Sequence, residues 1–415
     1  HQACPYCGFT APKIKEYVIK EITHSALTTQ KCIIKYRARR YKCPCCGKTY
    51  YEFNPFVFKS QKISILTVHN ILKDLKDFNE TFTSVARRYH VSPTSVSTIF
   101  DKHVDIGRNP LPEIINFDEV YAFKSEKSKY VCVLLDFKKQ IPVDVLPNRK
   151  KEYLLNYFQK IPLEERKKVK YACSDMYEVY RDVVHKVFPS CCMLLDYFHL
   201  SQDFHRKMNE VRIKVMKGYK DNKASDEYYL LKKFNWLLFK NPEDEDKYGR
   251  LFDVERERKY NSHFKSYMNY YDLRRKLVEI NNDLTICYSL KLELVDFYSK
   301  STIDNAQVNL EHLIRSCIDT NIEKMIAFSN NLINWKQEII NSFTIVGTEY
   351  KVEADKGQVV VCNKKVNNAI IENRNKIIKC IKNNANGYTN WSRFRNRVMY
   401  VLDPNASFSL EPREK

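Results

Sequence analysis

The chain has 415 residues, with 70 Lys and Arg against 50 Asp and Glu, a formal net charge of +20 and a hydrophobic fraction of 44%, which is ordinary for a globular protein. The positive charge favours a polyanionic partner, either nucleic acid or an anionic membrane surface. No apolar run approaches the roughly 20 residues that span a bilayer. No signal peptide is visible, although the chain begins at His1 rather than Met and a truncated start could hide one.

Residues 1–55 are expected to form a small Cys-rich module that binds structural zinc. Two motifs, Cys4-Pro5-Tyr6-Cys7-Gly8 and Cys43-Pro44-Cys45-Cys46-Gly47, each place a Gly after a Cys-x-x-Cys pair, where the turn requires a positive φ. Between them, 17–20 and 32–36 are predicted strands. Four thiolates satisfy the tetrahedral preference of Zn²⁺. The predicted ligands are Cys4, Cys7, Cys43 and Cys46. Cys45 could replace Cys43 or Cys46, although those two have the better spacing.

Residues 60–108 have the pattern of a helical DNA-binding domain. A helix over 63–75 is followed by a short helix, a turn at His90-Val91, and a second helix that Ser92 caps and Pro93 begins. A helix-turn-helix places its second helix in the major groove. The side chains expected to meet DNA are Arg87 and Arg88, near phosphates, and Thr94, Ser95, Ser97 and Thr98, in the groove. The alternative is an ordinary helical hairpin.

Residues 112–200 alternate between strand and helix patterns. The predicted order is strands at 114–117, 130–137 and 141–146, a helix at 151–161, a strand at 169–174, a helix at 177–188 and a strand at 191–195. This βββαβαβ order predicts a mixed sheet flanked by helices.

The rest of the chain is expected to be mostly helical. Residues 201–355 show helical periodicity, with strand-like patterns only near 343–346 and 359–361, which predicts an all-helical insertion. Residues 356–415 are expected to contain a last helix, about 363–382, and a basic C-terminal tail.

Three carboxylates suit metal-dependent chemistry on phosphates. Asp118 and Asp175 end apolar strand-like runs, and Glu372 lies in the middle of the last predicted helix. Carboxylates that hold two divalent ions about 3.5–4 Å apart support phosphodiester hydrolysis or exchange. Mg²⁺ prefers oxygen ligands and keeps several waters, so two or three carboxylates suffice. A lone Asp at a strand end is more often a cap, and only the combination favours a metal site.

Other acidic residues and one His are alternative or accessory candidates for this metal site. Glu311 is a rival for the third acid. Glu119 is expected to face the other side of its strand, while Asp136 and Asp144 are expected to end or solvate theirs. Asp196 and His199, after the fifth predicted strand, are candidate accessory residues, or else a polar strand end with a hydrogen-bonded His.

With these residues the chain resembles bacterial insertion-sequence DDE transposases of the ISL3 type, over nearly its whole length. The motifs that carry the resemblance are Phe117-Asp118-Glu119, Ser174-Asp175-Met176-Tyr177, Asp196-Tyr197-Phe198-His199-Leu200 and the segment 368–376 around Glu372. Near the end, Asn386-Gly387-Tyr388 with Phe394, Arg395 and Arg397 is similar to the family's tail. Asn373 stands where the family often has Gly.

The resemblance implies an α/β fold: a ribonuclease H-like mixed sheet with a large all-helical insertion, preceded by a zinc-ribbon module and a helix-turn-helix domain. It implies that Asp118, Asp175 and Glu372 hold Mg²⁺ or Mn²⁺, that a metal-bound water frees a 3′-hydroxyl at the element's end, and that this hydroxyl attacks target DNA. The zinc module and helix-turn-helix would recognise the terminal inverted repeats in double-stranded DNA. Two ends must be paired, so a homodimer or larger homo-oligomer is expected, in the bacterial cytoplasm and bound to the nucleoid.

Two other functions fit the same residues. A transposase-derived DNA-binding protein would keep the Cys-rich module and the helix-turn-helix but could lose an acid, and all three acids are present. A metal-dependent nuclease without strand transfer would use the same site. An RNA-binding role is less favoured, because the sequence shows no RNA-specific module.

Overall fold

The computed structural model of the protein describes residues 3–25, 30–58, 61–123, 128–352 and 359–413, with the backbone alone at 349–352 and 359–362. Internal contacts divide the chain into two compact units. Unit 1 comprises residues 1–161 and 369–415, and unit 2 comprises residues 162–368. Among the described helices, none is both long and apolar enough to cross a membrane.

The N-terminal module is a three-stranded antiparallel sheet in the order β1-β2-β3. Its strands are β1 (Lys13–Thr23), β2 (Ile33–Lys42) and β3 (Thr49–Tyr51). They run further than the predicted segments, because cross-strand hydrogen bonds extend pairing into Lys- and Arg-rich ends that carry no apolar pattern. Tyr41 and Tyr50 are buried, and their rings stack with centroids 5.5 Å apart.

The next helices lie close to the predicted positions. They are α1 (Ile65–Asp74), α2 (Phe82–Arg88) and α3 (Pro93–His103). The predicted turn is confirmed, because His90 has a φ of +53°. The predicted cap is also confirmed: the Ser92 hydroxyl accepts a hydrogen bond from the Ser95 backbone N–H at 3.0 Å, and Pro93 begins the helix.

Three antiparallel strands and a helix complete the N-terminal part of unit 1. They are β4 (Ile114–Val120), β5 (Val131–Asp136), β6 (Pro142–Leu146) and α4 (Lys151–Gln159), with strand order β6-β5-β4. The strands are buried almost throughout, as expected for a sheet covered on both faces. The predicted end of the first strand is wrong, since β4 continues to Val120 and Asp118 therefore lies within it.

Unit 2 begins with a short helix that was not predicted, followed by the predicted βαβ arrangement. Its elements are α5 (Leu163–Arg166), β7 (Tyr171–Ser174), α6 (Glu178–Val187) and β8 (Cys192–Leu195). Strands β7 and β8 are parallel, and Ser174 is the register partner of Leu195. A parallel pair needs a crossover connection, which α6 supplies.

The remainder of unit 2 is mainly helical but contains strands. Its helices are α7 (Tyr197–Gly218), α8 (Asp226–Lys233), the 3₁₀ helix Asn235–Leu238, α9 (Tyr270–Glu279), α10 (Asn282–Lys300), α11 (Ala306–Asp319), α12 (Glu323–Asn334) and α13 (Lys336–Asn341). Its strands pair as β9 (Glu245–Asp246) with β10 (Gly249–Arg250), β11 (Lys259–Asn261) with β12 (Ser266–Met268), and β13 (Ile345–Val352) with β14 (Val359–Lys365).

The expectation of an all-helical insertion is therefore wrong. Strands β9 to β12 have two or three residues each, too few for an alternating pattern to appear in the sequence. Their pairing depends on turns instead, such as the one at Gly249, whose φ is +95°.

The C-terminal helices return to unit 1. They are α14 (Ala369–Asn384) and α15 (Trp391–Leu402). The last helix was predicted to begin near 363, but Asn363 belongs to β14, and Glu372 lies in the first turn of α14 rather than in its middle. The basic C-terminal tail is largely the buried helix α15. Arg397 is only 1% exposed and donates to the backbone carbonyls of Asp77 and Glu80.

Replacing Arg393 with Ala is expected to destabilise unit 1 by about 1–2 kcal/mol. Arg393, in α15, donates two hydrogen bonds to the carboxylate of Asp101 in α3, at 2.7 and 3.0 Å. Thermal or denaturant unfolding measures the change. Ser392→Ala, at an exposed position of the same helix, is the matched control and should leave stability unchanged. Equal stability of the two variants would contradict a stabilising role for the Arg393 pair.

Candidate functional site

The four predicted cysteine ligands come together in unit 1. The Sγ atoms of Cys4 and Cys46 lie 3.7 Å apart, and those of Cys7 and Cys43 lie 3.5 Å apart. All four ligand atoms lie within 4.8 Å of one another. Tetrahedral zinc with bonds of about 2.3 Å requires sulfur–sulfur distances of about 3.8 Å. The arrangement therefore fits zinc, and the exposed Cys45 lies outside the group.

The two cysteine turns have the same backbone geometry. Gly8 and Gly47 have φ values of +75° and +71°, which confirms the predicted need for Gly. Their N–H groups each donate at 2.9 Å to the carbonyl of the first Cys of the motif, Cys4 or Cys43. Hydrogen bonding, chiefly from the backbone N–H of Cys46, lowers the pKa of the Cys43 thiol to about 7. This favours the thiolate of Cys43, the form that binds metal. For Cys7, the backbone hydrogen bond at Phe9 is outweighed by burial and by hydrogen bonds with the other thiols, which raise the pKa to about 12.

Asp118 and the helix that carries Glu372 are in contact within unit 1. The Asn375 side-chain Nδ2 donates to Asp118 Oδ2 at 2.8 Å, and the Glu119 backbone N–H lies 2.7 Å from Oδ1. Glu372 precedes Asn375 by one turn of α14. Side chains three positions apart share a helix face, with Cβ atoms roughly 5–6 Å apart. Glu372 and Asp118 are therefore brought to the same region of unit 1, and their oxygen donors suit Mg²⁺.

Asp175 and Asp196 occupy neighbouring strand ends in unit 2. They directly follow Ser174 and Leu195, which are register partners, and the Asp196 backbone N–H donates to the Ser174 carbonyl at 3.0 Å. Asp196 is buried, and one of its carboxylate oxygens lies 3.8 Å from His199 Nε2. The other accepts a hydrogen bond from the Asn368 backbone N–H at 3.2 Å. Asp196 and His199 thus form a local pair beside Asp175.

The other acids have structural contacts. Glu119 forms an ion pair with Arg149, and Glu311 one with Lys336 at 2.7 Å. Asp136 accepts hydrogen bonds from the backbone N–H groups of 138 and 139, so it ends its strand in a turn, as expected. Asp144 is buried rather than solvated. Its carboxylate accepts hydrogen bonds at 2.7 Å from Tyr157 and Arg395.

The residues predicted to contact DNA differ in how available they are. Arg87, Thr94 and Thr98 are exposed. The hydroxyl groups of Ser95 and Ser97 lie within hydrogen-bonding distance of groups of the helix's own first turn. Arg88 forms ion pairs with Asp74 and Glu80, so its charge is compensated within the domain. Arg87 is exposed to solvent, whereas the guanidinium group of Arg88 is held by two carboxylates.

A transposase family model, that of the ISL3-type DDE class, matches residues 115–354, which is more than half of the chain. The chain belongs to the ISL3-type DDE transposase family. This membership confirms the resemblance seen in the sequence, and it makes the protein a transposase, a DNA-cleaving and DNA-transferring enzyme. The transposase for insertion sequence element IS1001 of Bordetella parapertussis is 19% identical over 405 residues, covering 97% of this chain and 89% of the relative.

The transposase match covers only some of the candidate residues. It includes Asp118, Asp175, Asp196 and His199, whereas Glu372 lies beyond its last residue. The assignment of Glu372 therefore depends on its sequence motif and on the position of α14. Sequence reasoning missed Asn375, although its place three residues after Glu372 could have indicated a shared helix face.

Proposed function

We propose that this transposase binds the terminal inverted repeats of its own element and carries out metal-dependent DNA cleavage and strand transfer. The observation that carries the proposal is the contact of buried Asp118 with α14, the helix on which Glu372 lies. Asp118 is 8% exposed, and carboxylate oxygens are the ligands that Mg²⁺ prefers.

We propose Asp118, Asp175 and Glu372 as the carboxylates that hold Mg²⁺ or Mn²⁺. When bound, the metal would lower the pKa of water and offset the charge of the phosphate. The hydrogen bond from Asn375 fixes the orientation of the Asp118 carboxylate. Asp196 and His199 are proposed as accessory residues, because their pair lies at the strand end next to Asp175.

We propose that the Cys-rich module and helices α2 and α3 together contact the element's ends. Residues 1–55 contain ten Lys and Arg against three Glu, a balance that favours phosphate contact. Thr94 and Thr98 are exposed on α3 and free to meet base edges, with Arg87 near a phosphate. A homodimer or larger assembly is part of this proposal, because strand transfer joins two element ends to one target.

The decisive test combines purified protein, labelled DNA carrying the element's own ends, and Mg²⁺. We expect nicking at the ends and joining to target DNA, both lost on replacing Asp175 with Ala and absent with scrambled ends. Binding without nicking would indicate a transposase-derived DNA-binding protein, and nicking without joining would indicate a nuclease. Equal cleavage by Asp175→Ala would overturn the catalytic assignment.

A further inference from the structure

We infer that Asn375 is a positioning residue of the metal site: its amide nitrogen holds Asp118, and its amide oxygen accepts a hydrogen bond from a metal-bound water. This inference rests on the proposed function, in which Asp118 and Glu372 bind a divalent ion. It assigns a role to a side chain outside the three acids.

Asn375 interrupts an apolar stripe. On α14, Ile371, Ile378 and Ile381 are buried in a core with residues of β5 and β6, and Asn375 lies among them at 6% exposure. An amide at such a position costs free energy unless its polar atoms find partners. An apolar residue would pack there more favourably, so the amide indicates a polar task.

The first part of that polar task is a hydrogen bond from the Asn375 amide nitrogen to Asp118. The Asn375 Nδ2 lies 2.8 Å from Asp118 Oδ2, and Asp118 is itself 8% exposed. An ionised carboxylate only accepts hydrogen bonds, so the amide nitrogen, rather than the oxygen, must face it. This settles the orientation of the amide, which directs the oxygen away from Asp118.

The other half is the amide oxygen. Asn375 Oδ1 is buried and has no hydrogen-bond partner among the residues that the structure describes. Mg²⁺ keeps several of its waters when bound by protein carboxylates. Such a water is a hydrogen-bond donor, and outer groups that bond to ligands commonly set a metal's affinity. Asn375 would then connect Asp118 and a metal-bound water through one rigid amide.

The test measures Mn²⁺ binding to the zinc-loaded full-length protein by calorimetry, beside end cleavage as a function of Mg²⁺ concentration. Asn375→Ala and the near-isosteric Asn375→Leu are expected to weaken Mn²⁺ binding about tenfold or more. The Mg²⁺ concentration for half-maximal cleavage should rise in parallel, with activity partly restored at high Mg²⁺. Asn373→Ala, at an exposed position of the same helix, is the matched control and should bind Mn²⁺ like the wild type.

Melting temperatures show which variants are folded. If Asn375→Ala does not fold, the binding measurement is made with Asn375→Leu. A folded Asn375→Leu protein with wild-type Mn²⁺ affinity would overturn the inference, even if its melting temperature fell, because the role would then be structural alone. If Asn375→Leu binds Mn²⁺ like the wild type and Asp118→Asn has lost cleavage, only the positioning role of Asn375 fails. Continued cleavage by Asp118→Asn would instead overturn the proposed site and the inference with it.

Discussion

Asp118→Asn is expected to reduce cleavage of the element's ends by about a thousandfold or more, without loss of DNA binding. Asn has nearly the same shape as Asp, and its side-chain oxygen can still accept the hydrogen bond from Asn375. The substitution keeps the volume of the side chain and its contact with Asn375, and it removes the negative charge that would hold a divalent ion. Its amide nitrogen then faces the Glu119 backbone N–H, so the melting temperature of the variant is measured as well. Cleavage of end-labelled DNA in Mg²⁺, measured beside a gel-shift titration, separates catalysis from binding.

Asp136→Asn is the matched control for this experiment. Asp136 is also a buried carboxylate of the same antiparallel sheet, but its oxygen caps a turn, where an Asn oxygen can replace it. We expect cleavage by this variant within a few-fold of the wild type. Comparable losses in the two variants would mean that charge removal from the sheet, rather than loss of a metal ligand, explains the effect.

Removing zinc, or replacing Cys43 with Ser, is expected to unfold the three-stranded N-terminal module and weaken end binding at least about tenfold. The core around the cysteines is small, consisting of Cys4, Tyr41, Cys43 and Tyr50 with Cys46 against it. Such a core contributes little, whereas structural zinc supplies about 10–16 kcal/mol of binding free energy in small zinc modules. Zinc content, backbone amide NMR signals and a gel-shift titration measure the three consequences, and unit 2 should remain folded.

Cys45→Ser provides the control, because Cys45 is exposed and lies outside the four-sulfur group. This variant should keep its zinc and its affinity for the element's ends. Unchanged end binding by protein that has verifiably lost zinc would show that the module does not take part in recognition. Zinc loss in Cys45→Ser would instead point to the alternative ligand set that the sequence leaves open.

Local patterns predicted much of the fold. The βββαβαβ order was right except for the short helix α5, because each predicted strand or helix carries its own apolar pattern. Elements also end at their own turns or caps, as at Ser92. Prediction failed for β9 to β12, which are strands only because each forms hydrogen bonds with a neighbouring short strand. It also failed for the C-terminal segment, where basic composition suggested a tail. In that segment, Arg393 and Arg395 form ion pairs with Asp101 and Asp144, which lie hundreds of positions earlier in the chain.

The sequence by itself determined the four-cysteine group, the capped helices, the strands that carry Asp118 and Asp175, and the resemblance to a transposase family. These features depend on spacings of a few residues, which turns and hydrogen bonds convert directly into geometry. Only the tertiary structure decided which charges are already compensated, as for Arg88, and which side chain holds Asp118. Asn375 follows Asp118 by 257 positions, and no local period connects them. Their contact exists because the apolar face of α14 packs on the sheet and brings one amide to one buried carboxylate.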